Sequence, residues 1–202
     1  MVKHELYKRF FLDQNGESIR DDKKSLFTNI FSKYGINKLE NSASAGELLS
    51  IGTEYEDEKL IIPDYQRDLV WTLEQKQNLI KSIFAGADIG TIYFARQRYD
   101  ENSKKLEVTT FNVIDGQQRL NAINEYINDG FKVYDSYFSG LSQKDKRAFL
   151  INNKCSRYVL LLEPSREMEL DIYYNLNFGG TRHTEKDLER FKGVKKWEQI
   201  HI

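Results

Sequence analysis

The sequence predicts an α+β fold, and three observations carry that prediction. Strand-like and helix-like segments are mixed along the chain without the strict βαβα alternation of a doubly wound sheet. Helix starts are marked by side-chain caps, with Thr72 three residues before Gln75, Ser142 before Asp145 and Thr184 before Asp187. The apolar runs between them are short, rich in β-branched and aromatic residues, and bounded by Gly, Asn and Asp.

Taken in order, residues 1–57 read as an N-terminal extension and residues 58–202 as the folded domain. Residues 13–59 are polar and glycine-punctuated, with one short helix expected around Ser25–Tyr34 and a solvated acidic cluster at Glu54, Glu56, Asp57 and Glu58. The aromatic residues of the extension, among them Phe10, Phe27 and Phe31, fit either packing against the main domain or a docking or dimerisation surface. Leu60-Ile61-Ile62 is an apolar run ended by Pro63, and a helix then carries Leu73, Ile80, Ile83 and Phe84 on one side until Gly86 or Gly90. Thr91–Ala95 and Val108–Ile114 read as strands of a hairpin, with a turn at Asp100–Ser103 between them. A helix burying Leu120, Ile123 and Ile127 follows and ends at Asn128-Asp129-Gly130; Phe131–Tyr134 reads as a strand. Ser142 opens a helix to about Ile151, and Tyr158–Leu162 is a buried strand. Ser165 opens a helix through Met168, Ile172 and Leu176, Asn177–His183 is a glycine-containing loop, and a last helix carries Leu188 and Phe191.

Composition narrows the function classes. The 202 residues carry 30 basic and 31 acidic side chains, a net charge of −1, which excludes a broadly basic nucleic-acid coat but leaves room for a local basic patch. A single cysteine, Cys155, excludes an internal disulfide and a cysteine-rich zinc site. His4, His183 and His201 show no metal-ligand spacing. No apolar run is long enough to span a bilayer and the N-terminus has no signal-peptide core, so a cytoplasmic protein without a membrane partner is expected.

Three segments carry chemistry. In the first, residues 61–71, Pro63 fixes an extended backbone, Tyr65, Gln66 and Arg67 leave the strand in alternating directions, and Val70 and Trp71 are expected to anchor the segment in the core. In the second, residues 111–120, an apolar strand runs straight into Asp115-Gly116 and then a helix bearing Gln117, Gln118 and Arg119. Gly116 permits a sharp turn and close ligand approach, and the helix start offers backbone N–H groups and a positive dipole end to an anion such as phosphate. A simpler reading fits the same letters: Asp115 as an ordinary N-cap, Gln118 at the capping-box position, Arg119 paired with a surface acid. In the third, residues 173–184, Asn177, Gly179 and Gly180 suit either a helix C-cap and turn or a lid of backbone donors over an anion.

Together PDYQRDLVW, IDGQQRL and LNFGGTRHTEKDL resemble the DGQQR-motif family, the domain at the N-terminus of GmrSD-type, modification-dependent restriction endonucleases and related phage-defence proteins. The resemblance covers about residues 58–192 and implies a ParB/sulfiredoxin-like fold, a mixed sheet with surrounding helices. It also implies a site for a nucleoside triphosphate with Mg²⁺, in which Tyr65, Gln66, Arg67, Gly116, Asn177, Gly179 and Gly180 bind nucleotide. Asp115, Gln117, Gln118 and Arg119 are its implied catalytic residues, Asp115 also holding the Mg²⁺. Sulfiredoxin chemistry is disfavoured, because Cys155 lies outside all three motifs. The sequence is expected to lack the family's C-terminal nuclease domain, which His183 and His201 cannot replace.

Three functions follow as expectations. The first is nucleoside triphosphate binding and hydrolysis in phage-host DNA restriction, without a P-loop, since no Walker A lysine motif is present. The second is a nucleotide- or DNA-sensing module that regulates a separate nuclease or restriction subunit without turnover. The third is a small DNA-nicking nuclease. A triphosphate needs more than one cation, so Arg67, Arg119 and the Asn177–Gly180 segment are expected to converge on one site.

Overall fold

The computed structural model of the chain describes residues 38–98 and 109–178. The helix expected at 25–34, the turn at 100–103, the loop beyond Phe178 and the helix capped by Thr184 lie outside these residues.

Five strands form one mixed sheet in the order β1-β5-β3-β4-β2. They are β1 (Lys38–Ala43), β2 (Glu58–Ile61), β3 (Ile92–Arg98), β4 (Thr109–Asp115) and β5 (Ser156–Leu162). β3 and β4 are antiparallel, as expected of a hairpin, whereas β3 with β5 and β2 with β4 run parallel. The helices are α1 (Ala45–Ser50), α2 (Leu73–Phe84), α3 (Gln117–Ile127), α4 (Gln143–Arg147) and α5 (Arg166–Phe178). The α+β class holds.

β5 shows why the sheet is covered on both sides. Tyr158 and Leu160 point into a core with Ile80, Ile83, Ile123 and Phe149, and Val159 and Leu161 into a second core with Leu170, Ile172 and Tyr173 of α5. A strand buried on both faces reads as a continuous apolar run, and YVLLL is one. Full capping boxes start two helices: Ser44 with Glu47 at α1, and Thr72 with Gln75 at α2. Each cap contributes about 1 kcal/mol.

Four differences from the sequence reading have physical causes. Residues 38–57 are not an extension: β1 forms the sheet edge against β5, and Ala43, Ala45, Leu48 and Ile51 enter the first core. An edge strand is held by backbone bonds, so KLENSA needs little apolar pattern. Phe131 and Val133 are buried, yet 131–134 is not a strand: Val133–Ser136 is a tight turn closed by a single bridge between its end residues. The helix opened by Ser142 continues past Arg147 as a wide π-type turn over Ala148–Asn152. Leu73 and Val70 face solvent rather than the core.

Within the acidic cluster Glu58 is half-buried. Burial, reinforced by Asp57 and Glu54, pushes its carboxyl up to about 7. A raised folded-state pKa means the folded chain holds the proton more tightly than the unfolded one. Its contribution is therefore present below about pH 4.5 and is lost as pH rises through about 7. Glu58→Gln should flatten the fall in stability across that window, raising the melting temperature at pH 8 relative to the parent and leaving that at pH 4 unchanged, as read by thermal melts.

Candidate functional site

β4 ends at Asp115, and the chain turns at Gly116 into α3. Gly116 has φ 109° and ψ 5°. A Cβ there would lie 2.8 Å from Cγ2 and 2.9 Å from Cγ1 of Ile92. Only glycine lets the turn lie this close against β3. Gly116 is also the N-cap, so α3 starts with no side-chain cap and with no acidic residue in its first turn. The contrast with the two capping boxes of α1 and α2 is informative: this 11-residue helix starts with no capping side chain, and Asp115, just before its N-cap, is engaged by Arg119.

This corrects the expectation that Asp115 caps or begins the helix. Asp115 is the last strand residue, and its Oδ2 accepts from Arg119 Nη2 at 2.7 Å. The other terminal nitrogen of Arg119 donates to the Ile89 carbonyl at 3.0 Å. The guanidinium thus clamps the strand end to the loop before β3. The capping box with Gln118 does not form. Gln118, 8% exposed, instead accepts from the Val70 and Trp71 N–H groups at 3.1 and 3.2 Å and donates to the Asp68 carbonyl at 3.0 Å.

The first motif is held from both sides. Gln66 Nε2 donates to the carbonyls of Val113 and Ile114 at 2.8 and 2.7 Å. Tyr65 donates to Glu169 Oε1 at 2.6 Å, and its ring lies 4.7 Å from that of Tyr173. Burial beside that carboxylate holds the Tyr65 hydroxyl far above the ordinary phenol range. The structure therefore brings the first motif against both the DGQQR turn and the helix that leads into the third. Arg67 sits between Gln66, bonded to the end of β4, and Asp68, bonded to Gln118. It is half-buried and makes no hydrogen bond or ion pair with the described residues. Gln117 also lines the turn, and its buried Oε1 has no partner among the described residues.

The third motif is reached only in part. Asn177 belongs to the last turn of α5 rather than to a loop, its Nδ2 donating to the Tyr173 carbonyl at 3.0 Å. Gly179 and Gly180 lie outside the described residues.

Sequence reasoning missed Glu169. It is 1% exposed, and besides Tyr65 it accepts from Asn112 Nδ2 at 3.0 Å, with Arg166 Nη1 at 3.8 Å. Arg166 also pairs with Asp64 at 2.6 Å and lies over the Tyr65 ring at 4.8 Å. The available signal was helical spacing, since Glu169 falls one turn before Tyr173 on the buried stripe of α5.

Among the described residues no group of three or more His, Cys, Asp or Glu side chains is placed to hold a metal. Asp115 leaves one carboxylate oxygen outside its pair with Arg119. That suits Mg²⁺ carried in on phosphates, which takes one or two protein carboxylates and keeps its waters.

A family model described as "GmrSD restriction endonuclease, N-terminal domain" matches residues 47–158, more than half of the chain and inclusive of the first two motifs. No curated protein and no solved structure matches.

Proposed function

The chain belongs to the family of the GmrSD restriction endonuclease N-terminal domain, and from that premise we propose that it binds the phosphates of a nucleoside triphosphate at the start of α3. The observation that carries the proposal is the uncapped helix start at Gly116, with no acidic residue in its first turn. Arg67 is the cation free to meet the ligand, held near the turn by the bonds of Gln66 and Gln118. Gln117, whose Oε1 has no partner, is the residue available to orient an attacking water. Bound Mg²⁺ would offset phosphate charge. The chain's own part is to cradle the phosphates with backbone N–H groups and to balance charge with Arg67.

The restriction-endonuclease setting of the family supports DNA or a nuclease subunit as the partner of this reading. Sensing without turnover is the second reading. It is favoured by the internal bonds of Gln118 and Arg119, which leave Gln117 as the one glutamine of the turn without a structural bond. Binding and phosphate release, measured for ATP, GTP, CTP and UTP with Mg²⁺, separate the two. Release abolished by Gln117→Ala with affinity kept supports hydrolysis, and binding without release supports sensing. No binding of any of the four would overturn the proposal.

A further inference from the structure

A triphosphate needs more than one cation, and Arg67 is the one that the motifs leave unpaired among the described residues. A second stands outside the motifs. Tyr93 of β3 is the register partner of both Asp115 on β4 and Val159 on β5, and Val159 is in turn the partner of Glu40 on β1. Cross-strand partners project to the same face, so these four share one row on the face that carries the second core. Arg157 lies two residues before Val159 and therefore on that face as well. β4 runs antiparallel to β3 and β5 runs parallel to it, so the start of β5 and the end of β4 lie at the same end of the sheet. Arg157 thus stands at the end from which α3 departs.

The charges around this row are matched except at one place. Asp115 is held by Arg119, and Glu40 by Lys38. Asp88, in the loop before β3, accepts from the Gly90 N–H at 2.7 Å. These acids oppose the field of Arg157 only in part, since two of the three carry a cation of their own. Arg157 is exposed, and its guanidinium makes no hydrogen bond or ion pair with the described residues. An arginine that served the fold would take the carboxylate of Glu40 on the neighbouring strand, yet Lys38 holds it. The Tyr93 hydroxyl lies in the field of the same groups. Burial raises its pKa, Asp115 and Glu40 add to the rise, and Arg157 and Arg119 work against it. The hydroxyl therefore stays protonated, a neutral donor on the strand between the Asp115–Arg119 pair and Arg157.

Resting on the reading that nucleotide binds at the head of α3, we propose that Arg157 is a second phosphate-binding arginine of that site and Tyr93 a hydroxyl donor to the same phosphates. The loop carrying Arg67 follows β2 and is bonded to the end of β4, whereas Arg157 lies on β5, beyond β3. The turn at the end of β4 therefore has an arginine without a partner on either side. From Asp115 to Val159 the row spans two strand spacings, about 10 Å. A guanidinium meets phosphate through paired N–H donors, and one such group on each side grips a chain of phosphates rather than a single one. The site is accordingly expected to prefer a triphosphate to a monophosphate.

The test titrates the full chain by calorimetry with ATP, GTP, CTP and UTP, each with Mg²⁺, with their monophosphates and with inorganic triphosphate. Arg157→Ala should weaken triphosphate binding about tenfold, and monophosphate binding less. Its melting temperature should match the parent's, because the side chain is exposed and unbonded. Arg157→Lys should recover part of the loss, since it keeps the charge without the planar fork. Tyr93→Phe, which keeps the ring against the second core, should weaken triphosphate binding about fivefold. Lys144→Ala, at an exposed position of α4, controls for the loss of one positive charge and should bind as the parent does. If the parent binds triphosphate and Arg157→Ala loses no more affinity than Lys144→Ala, this inference is overturned while the reading beneath it stands. A parent that prefers monophosphate also overturns it. A parent that binds none of these ligands overturns both.

Discussion

Gly116→Ala is expected to destabilise the chain by about 3 kcal/mol. Two costs combine. A residue with a side chain at φ 109° is strained by about 1–3 kcal/mol. The added methyl would press on Ile92 at 2.8 Å, and Ile92 is fully buried, so the neighbour has no room to retreat. Overpacking of this kind costs about 1–3 kcal/mol. For a chain of this size the melting temperature should fall by about 6–12 °C. A urea or thermal melt checks it, with Gly86→Ala as control. Gly86 also has positive φ, but nothing lies within 4 Å of its Cβ position, so its loss should be the smaller.

The second large effect is expected at Glu169. Glu169→Ala should cost about 3 kcal/mol, because it strips two donors of their acceptor and a guanidinium of a nearby carboxylate. Tyr65, buried, at 2.6 Å and Asn112, half-buried, at 3.0 Å would be left without it, and Arg166 would lose the carboxylate at 3.8 Å. Glu169→Gln keeps one oxygen for Tyr65 but turns an amide N–H₂ group toward other donors, so its loss should be smaller. Urea unfolding measures both. Equal stability of parent and Glu169→Ala would mean that the network contributes nothing net. Because Tyr65 lies two residues from Arg67, the alanine variant should also loosen the first motif. Faster amide exchange over 64–68 would report that.

What the sequence made legible was local chemistry. An apolar strand ending in Asp-Gly before a helix announces the Gly116 turn, because only glycine adopts that backbone cheaply. Thr72 with Gln75 announces α2, because the capping residues and the groups they satisfy are neighbours in the chain. The unread parts depend on partners distant in sequence. Gln66 and Gln118 looked like ligand-facing amides, but their partners are carbonyls and N–H groups about fifty positions away, Val113 and Ile114 for one and Asp68, Val70 and Trp71 for the other. Arg119 likewise looked free to meet phosphate, yet its fork closes on Asp115 and Ile89. Glu169 could not be paired with Tyr65 before the sheet and α5 were packed together. β1 escaped notice because its pairing with β5 is a backbone matter, written only faintly in KLENSA.

These internal bonds sharpen the nucleotide proposal. They make Gln66, Gln118 and Tyr65 supports of the loop that carries Arg67. Arg119 becomes a brace for the turn. In the proposed site the phosphates would fall to the N–H groups at the head of α3, to Arg67 and to Gln117.

The most direct test follows the backbone amide signals of Gly116–Arg119 by NMR while a nucleoside triphosphate with Mg²⁺ is added to the parent and to Arg67→Ala. The proposed site predicts saturable shifts at these amides in the parent, and the same amides shifting in Arg67→Ala with affinity about tenfold weaker. Nucleotide binding that leaves residues 116–119 unmoved, or an affinity that does not depend on Arg67, would contradict it.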